Sequence, residues 1–230
     1  MTLSSAICLI GTTKCSWDIL IPFDSLWTEY KRIRKPHTPI VLFGVEPFAS
    51  YLRISNIQEF KYDWVWKKSK SGSAFTAKYR PVCKHEMICV FGSGKITYNP
   101  QMEEGTPYKR LHKISECDVN NHGMGFNRKE VLSVNSGTRY PITVQEFQQK
   151  WRRQDQLHPT QKPVLLLEYL IKTYSNKGDL ILDNCMGSGS TGVAAMNTGR
   201  NFIGIEKQED YFKIAQERIA EAQSFRLLNG

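Results

Sequence analysis

The stretch GDLILDNCMGSGSTGVAAMNTGRNFIGIE, from Gly178 to Glu206, constrains this chain more than any other. An apolar strand ends at Asp183 and a glycine-rich turn, MGSGSTG, follows. A helix of small residues then begins, and a second strand closes on Glu206 after Gly199. In a βαβ unit of this order the glycines let the backbone approach a nucleotide-like ligand at the carboxyl edge of the sheet. The terminal acid can accept hydrogen bonds from ribose hydroxyls. No G-K-[ST] follows, so this is not a phosphate-binding loop. Gly187, Gly189 and Gly192 do fall at the G-x-G-x-x-G spacing. Asp183 before the turn and the polar Ser190-Thr191 pair nevertheless suit a cationic, amine-bearing ligand better than a pyrophosphate.

The stretch LHPTQKPVLLLEYLIKTYSNKGD precedes this unit. It reads as a polar loop followed by Pro163, pre-set for the first turn of a helix in which Val164, Leu167, Ile171 and Tyr174 form one apolar stripe. Further strands are expected at SSAICLI, PIVLFGV, KYDWVWKK and HEMICVF, mostly as continuous apolar runs suited to a sheet covered on both faces. Helical periodicity appears in PFDSLWTEYKRI, PFASYLRISN and EDYFKIAQERIAEAQSF. The alternation predicts an α/β domain with a mostly parallel sheet and helices on both faces. At 230 residues the chain suits one domain with an insertion. Periodicity fades over residues 96–157 into Gly- and Asn-rich sequence with interleaved basic and aromatic residues. We therefore expect a loop-rich functional insertion there, between a first half at 1–95 and a cofactor half at 158–230.

Thirty-one Lys and Arg against 22 Asp and Glu leave a net charge of +9, which favours a polyanionic partner through phosphate neutralisation. The N-terminal residues lack a basic n-region and a cleavage pattern, and no apolar run approaches the length of a membrane span, so a cytoplasmic protein without a membrane segment is expected. Six cysteines at irregular spacing give no C-x-x-C and read as buried thiols. The grouping CKHE at Cys83 to Glu86 reads as strand sequence, and no metal is expected.

HPTQKP, then LDNCMGSGSTGVAA, then RNFIGIE, in that order, resemble the S-adenosylmethionine-dependent amino-methyltransferases of DNA, in the permuted class whose catalytic motif precedes the target-recognition region. GTTKCSWD, IVLFGVEPFASYL, YDWVWKK and HEMICVF extend the resemblance over nearly the whole chain outside the insertion. It implies a Rossmann-like class I methyltransferase fold, S-adenosylmethionine as cofactor and double-stranded DNA as partner. A homodimer is among the assemblies it allows, and the setting it implies is a phage, a prophage or a restriction–modification system. It also implies that His158, Thr160, Gln161, Lys162 and Pro163, with Asp183, Met186, Gly187, Ser188, Gly189, Ser190 and Thr191, surround the methionine part of the cofactor, and that Glu206 meets the ribose. The insertion becomes the target-recognition region, with Arg128, Lys129, Arg139, Arg152 and Arg153 as candidate phosphate contacts. Lys67 and Lys68 are expected on the DNA side.

Members of this family carry an acidic or polar residue, two residues that are commonly proline, and an aromatic residue directly before the position of Gly11. The flipped target base stacks on the aromatic ring, and the acid side chain with a backbone carbonyl holds its exocyclic amine. Here the four positions are Ile7, Cys8, Leu9 and Ile10, which offer neither a carboxylate nor a ring. Read from the third base of the Met1 codon, the same codons permit Asp-[Phe/Ile]-Ile-Leu-Cys-Asp-Leu-Pro-Tyr and, after one extra base, Gly11. The expectation is a chain that starts out of frame and re-enters at Gly11, with about twenty upstream residues, on the order of one βα unit, absent. The shifted codon at the acidic position can encode Asp and cannot encode Ser, which favours adenine N6 over cytosine N4. Such a chain should bind S-adenosylmethionine poorly or not at all and methylate negligibly. Cytosine-N4 methylation and a non-catalytic DNA-binding remnant are the alternatives.

Overall fold

The computed structural model describes residues 21–69, 77–116, 127–148 and 156–229. The strand expected at SSAICLI and the positions of Ile7, Cys8, Leu9 and Ile10 lie outside them. The chain divides into two compact units, one formed by the segments up to Asn99 and from Ile142 onward, the other by Pro100–Pro141.

The first unit holds a four-stranded sheet in the order β1-β3-β2-β8, from β1 (Ile40–Gly44), β2 (Phe60–Lys68), β3 (His85–Phe91) and β8 (Val144–Phe147). A parallel pair, β9 (Leu180–Asp183) and β10 (Asn201–Gly204), belongs to the same unit. The expectation of a mostly parallel sheet needs correcting to a mixed one, because β3 runs antiparallel to both of its neighbours while β2 and β8 are parallel. The reason is the connection: no helix is described between β2 and β3, and a return without a crossover can only be antiparallel. β1 and β2 are thus parallel to each other. They are joined through α2 (Phe48–Ser55), with β3 between them.

The continuous apolar runs are explained by burial on both faces. Val41 and Phe43 of β1, Trp64 and Trp66 of β2, and Ile88 and Val90 of β3 pack with α3 (Val164–Tyr174), Ile181 of β9 and α4 (Ser190–Thr198). Ile40 and Leu42, with Cys89 and Phe91, point the other way, into a cluster closed by Leu26, Trp27 and Tyr30 of α1 (Phe23–Ile33) and by Phe48, Ala49 and Leu52 of α2. This is the period-two alternation of a strand between two helical layers. On α3 the buried face is wider than the expected stripe and takes in Leu166, Leu167, Leu170, Ile171, Thr173 and Tyr174. The helix packs against α4 as well as lining the sheet core. α5 (Glu209–Asn229) packs on α4, and among the described residues no helix is long and apolar enough to cross a membrane.

The second unit differs from the loop-rich expectation. It contains β4 (Glu103–Glu104) paired with β7 (Thr138–Arg139), and a nine-residue antiparallel ribbon of β5 (Tyr108–Glu116) with β6 (Asn127–Asn135). Leu111, Leu132 and Val134 of the ribbon are all exposed. Neither face then needs to be uniformly apolar, so the sequence carries no clean alternation to read. The reading of the cysteines as buried thiols is corrected too: of the three described, Cys89 in β3 is buried, whereas Cys83 and Cys185 are exposed in the turns beside β3 and β9.

Candidate functional site

The turn after β9 is built around a buried carboxylate. Asp183 ends the strand at 2% exposure, accepting a hydrogen bond from the Cys185 amide on Oδ1 (3.0 Å) and from the Thr191 hydroxyl on Oδ2 (2.6 Å). Burial pushes its pKa up to about 7, against the opposing pull of those two donors. Each oxygen accepts one hydrogen bond from these two donors and keeps capacity for another, which suits a cationic ligand group. The glycines are required where they stand. Gly189 caps α4 at φ +77°, and a Cβ there would lie 2.8 Å from Ala215 Cβ and 2.9 Å from its Cα. Gly187 has φ +52°, and a Cβ would press to 3.3 Å on the His158 ring. Both therefore combine a left-handed backbone with close approach of a neighbouring segment.

Glu206, just beyond β10, reaches back to this turn. Its Oε2 accepts from the Gly187 amide (2.9 Å) and its Oε1 from the Gln208 amide (2.9 Å). A carboxylate held by one donor per oxygen is oriented and retains lone pairs for hydroxyl groups. Met186 is buried, its amide donating to the Ile205 carbonyl, and so ties the turn to the end of β10. Ser188, Ser190 and Thr191 are buried as well.

The His158–Pro163 segment folds over the same turn. His158 is buried, meets Tyr211 of α5 edge-on at 4.3 Å between ring centroids, and sits 3.0 Å from the Thr160 hydroxyl through Nδ1. The Thr160 amide donates to that same Nδ1 at 3.3 Å, which makes Nδ1 the acceptor and places the proton of the neutral ring on Nε2. Burial holds His158 below the ordinary imidazole range, despite the nearby Glu206 carboxylate. Gln161 shapes the loop through its own bonds, its side-chain carbonyl accepting from the Leu157 amide (3.0 Å). Pro163 is the N-cap residue of α3 rather than its first helical position. Lys162 is buried, with Nζ 3.1 Å from Glu86 Oε2, and Lys68 Nζ stands 2.5 Å from Glu86 Oε1. Lys68 therefore turns to Glu86, and its neighbour Lys67 pairs with Glu146 at 2.8 Å.

Four contributors escape a sequence reading. Arg218 of α5 donates to the Ser188 carbonyl and, at 3.1 Å, to the Ser188 hydroxyl, bracing the turn from behind. Tyr211, Ala215 and Arg218 follow helical spacing on one face of α5, a signal visible only once that face has a partner. Glu86 is a lone charge inside the apolar run HEMICVF.

In the second unit, Arg128 and Lys129 occupy register positions opposite Ser115 and Ile114 in the ribbon. Arg139 lies over the Tyr108 ring at 4.9 Å and donates to Asn135 Oδ1 and to the carbonyls of Thr106 and Thr138, so its guanidinium braces the base of the ribbon. Arg152 and Arg153 lie outside the described residues.

A buried acid after one strand, a left-handed glycine turn and a second acid bonded back to that turn form one continuous constellation. The sequence profile of the DNA methylase family of N6/N4 type matches residues 19–217. The chain belongs to that family. Two type II methyltransferases are similar over shorter stretches: M2.DpnII of Streptococcus pneumoniae, 53% identical over 62 residues, or 27% of this chain and 23% of that one, and M2.LlaDCHI of Lactococcus lactis subsp. cremoris, 46% identical over 70 residues, or 30% and 26%. The matched stretches thus span about a quarter of these relatives' length. The methylase fold is shared with the M1.HpyAVI–SAM complex (TM-score 0.62, 21% identity, covering 95% of this chain and 88% of that one). It is shared also with the cytosine-N4-specific PvuII DNA methyltransferase (TM-score 0.63, 15% identity, 100% and 86%).

Proposed function

We propose that this methylase carries the cofactor half of an S-adenosylmethionine-dependent DNA amino-methyltransferase, with adenine N6 as the family reaction. We propose further that Ile7, Cys8, Leu9 and Ile10 leave the chain as written without effective methyl transfer. The observation that carries the reading is the Asp183–Gly187–Glu206 constellation. Asp183, backed by the Cys185 amide and Thr191, would receive the cationic amino-acid end, and Glu206, oriented by the Gly187 amide, the ribose hydroxyls. The turn fits such a ligand because Asp183 and Glu206 keep acceptor capacity, while a Cβ at Gly187 or Gly189 would press on His158 or Ala215 and displace the turn. The bound cofactor would supply a methyl group on sulfur, open to attack by an exocyclic amine. Positioning and electrostatics carry that kind of transfer, so the loss of the acid and the ring that hold the amine is decisive.

DNA is the substrate this reading names, supported by the family, by the net charge of +9 and by the basic ribbon. Adenine is favoured over cytosine by the codon argument alone, since an Asp codon is available in the shifted frame and a Ser codon is not. The aliphatic tetrapeptide also supports a second reading, a protein that binds DNA and transfers nothing. Salt-dependent duplex binding without methyl incorporation would distinguish it.

The test is incorporation of labelled methyl groups from S-adenosylmethionine into adenine-containing duplex DNA by the purified chain. Incorporation is expected to equal that of a Gly187→Arg control. Methylation above that control would overturn the reading of the chain as impaired.

A further inference from the structure

We propose that Glu86 is a positioning residue: through Lys162 it holds the His158–Lys162 loop against the Gly187 turn and so sets the part of the site that takes the amino-acid end of the cofactor. The inference rests on the cofactor reading above. A buried carboxylate near the start of an apolar strand calls for a reason, because burying it is costly unless it is paired. Glu86 is 7% exposed and stands between two ammonium groups, Lys68 at 2.5 Å on one oxygen and Lys162 at 3.1 Å on the other. The second contact is an ion pair without hydrogen-bond alignment, and among the described residues Oε2 has no hydrogen-bond partner. Burial alone would raise the pKa of Glu86, yet the two lysines together hold it below the usual carboxylate range, so the group is ionised.

Lys162 is as constrained as its partner. Its ammonium lies over the Phe43 ring (5.2 Å) and the Trp66 ring (5.8 Å) and donates to the Thr160 carbonyl at 3.3 Å. Thr160 in turn bonds His158 through both its amide and its hydroxyl, and the His158 ring fills the space a side chain at Gly187 would take. A chain of contacts thus runs from β3 to the turn that presents Asp183. Without the Glu86 charge, Lys162 keeps, among the described residues, two ring faces, the Thr160 carbonyl and the more distant Asp183 carboxyl in a buried setting. It must then lose its proton or leave, and the tether on Thr160 goes with it. Glu206 is anchored independently by the Gly187 and Gln208 amides. The damage should therefore fall on the amino-acid end and spare the nucleoside end.

The experiment titrates the full chain and its Glu86→Gln variant with two ligands, S-adenosylhomocysteine and 5′-methylthioadenosine, the second lacking the amino-acid tail. Glu86→Gln is expected to weaken S-adenosylhomocysteine by about tenfold to a hundredfold, and methylthioadenosine by less than about twofold. Glu86→Asp should restore the first affinity to within about threefold of the unmodified chain, since it returns the charge with a shorter reach. If Glu86→Gln does not fold, Lys162→Met carries the test with the same selective loss expected, because Glu86 there retains Lys68. Equal weakening of both ligands, or of neither, would overturn the positioning role while leaving the cofactor reading intact. Failure of the unmodified chain to bind either ligand would overturn both.

Discussion

Replacing the aliphatic tetrapeptide through Ile7→Asp, Cys8→Leu, Leu9→Pro and Ile10→Tyr is expected to raise methyl transfer to adenine-containing DNA by about a thousandfold or more over the unmodified chain. The gain comes from two functions that the present residues lack. A carboxylate accepts a hydrogen bond from the exocyclic amine and holds its lone pair in line with the methyl group, and an aromatic ring offers the flipped base a face to stack on. Incorporation of labelled methyl groups measures the effect, with the same four substitutions plus Gly187→Arg as the control expected to stay at background. Activity confined to cytosine in the restored chain would move the family reaction to N4. A restored chain that incorporates nothing, while still binding cofactor, would show that the impairment lies elsewhere than in these four residues.

The second large effect is expected at Asp183. Asp183→Asn should weaken S-adenosylmethionine about tenfold to a hundredfold near pH 8, the range for loss of a charge-assisted hydrogen bond at a buried site. The pH dependence gives a separate signature. Burial raises Asp183 to about 7 in the free protein, so below that pH the carboxyl is protonated and must release its proton to meet a cationic ligand. Affinity should then rise by up to about tenfold per pH unit as pH increases toward 7, and level off above it. Asn cannot titrate, and the variant should lose that slope. Lys162, Glu206 and His158 all act on this carboxyl or on one another. His158 already titrates below its ordinary range, which places its contribution at the acid end of the window. A slope of equal steepness in Asp183→Asn would assign the titration to another group. The same raised value works against stability: folded Asp183 binds its proton more tightly than unfolded, so its contribution declines as pH rises from the unfolded carboxyl range through about 7.

What could be read from the sequence follows from how local each signal is. The Asp183-to-Glu206 unit was legible because strand, turn, helix and strand lie consecutively, and the conformations of Gly187 and Gly189 leave little choice of residue. β1 and β3 were legible as continuous apolar runs buried between two helical layers, and β2 by its aromatic residues, of which Trp64 and Trp66 are buried. The antiparallel placement of β3 was not, because strand direction depends on the absence of a crossover, and absence leaves no motif. The ribbon of β5 and β6 was missed for the opposite reason. Its stability comes from backbone pairing over nine residues a side, and its exposed Leu111, Leu132 and Val134 impose no burial pattern on the sequence. Lys68 illustrates a further limit. A lysine at a strand end suggests a surface charge until the buried Glu86 across the register is known. Arg218 reaches Ser188 of the glycine turn, and Tyr211 the His158 ring beside it, from a helix well downstream, a distance in sequence that only packing closes.

The most direct test of the preformed cofactor site is equilibrium binding of S-adenosylhomocysteine to the purified chain, compared with Gly187→Arg. The account predicts weak, saturable binding by the unmodified chain and none by the variant, whose side chain must displace the His158 ring from the turn. Equal binding by the two proteins, or no saturable binding by the unmodified chain up to about millimolar ligand, an affinity of about 4 kcal/mol, would contradict it.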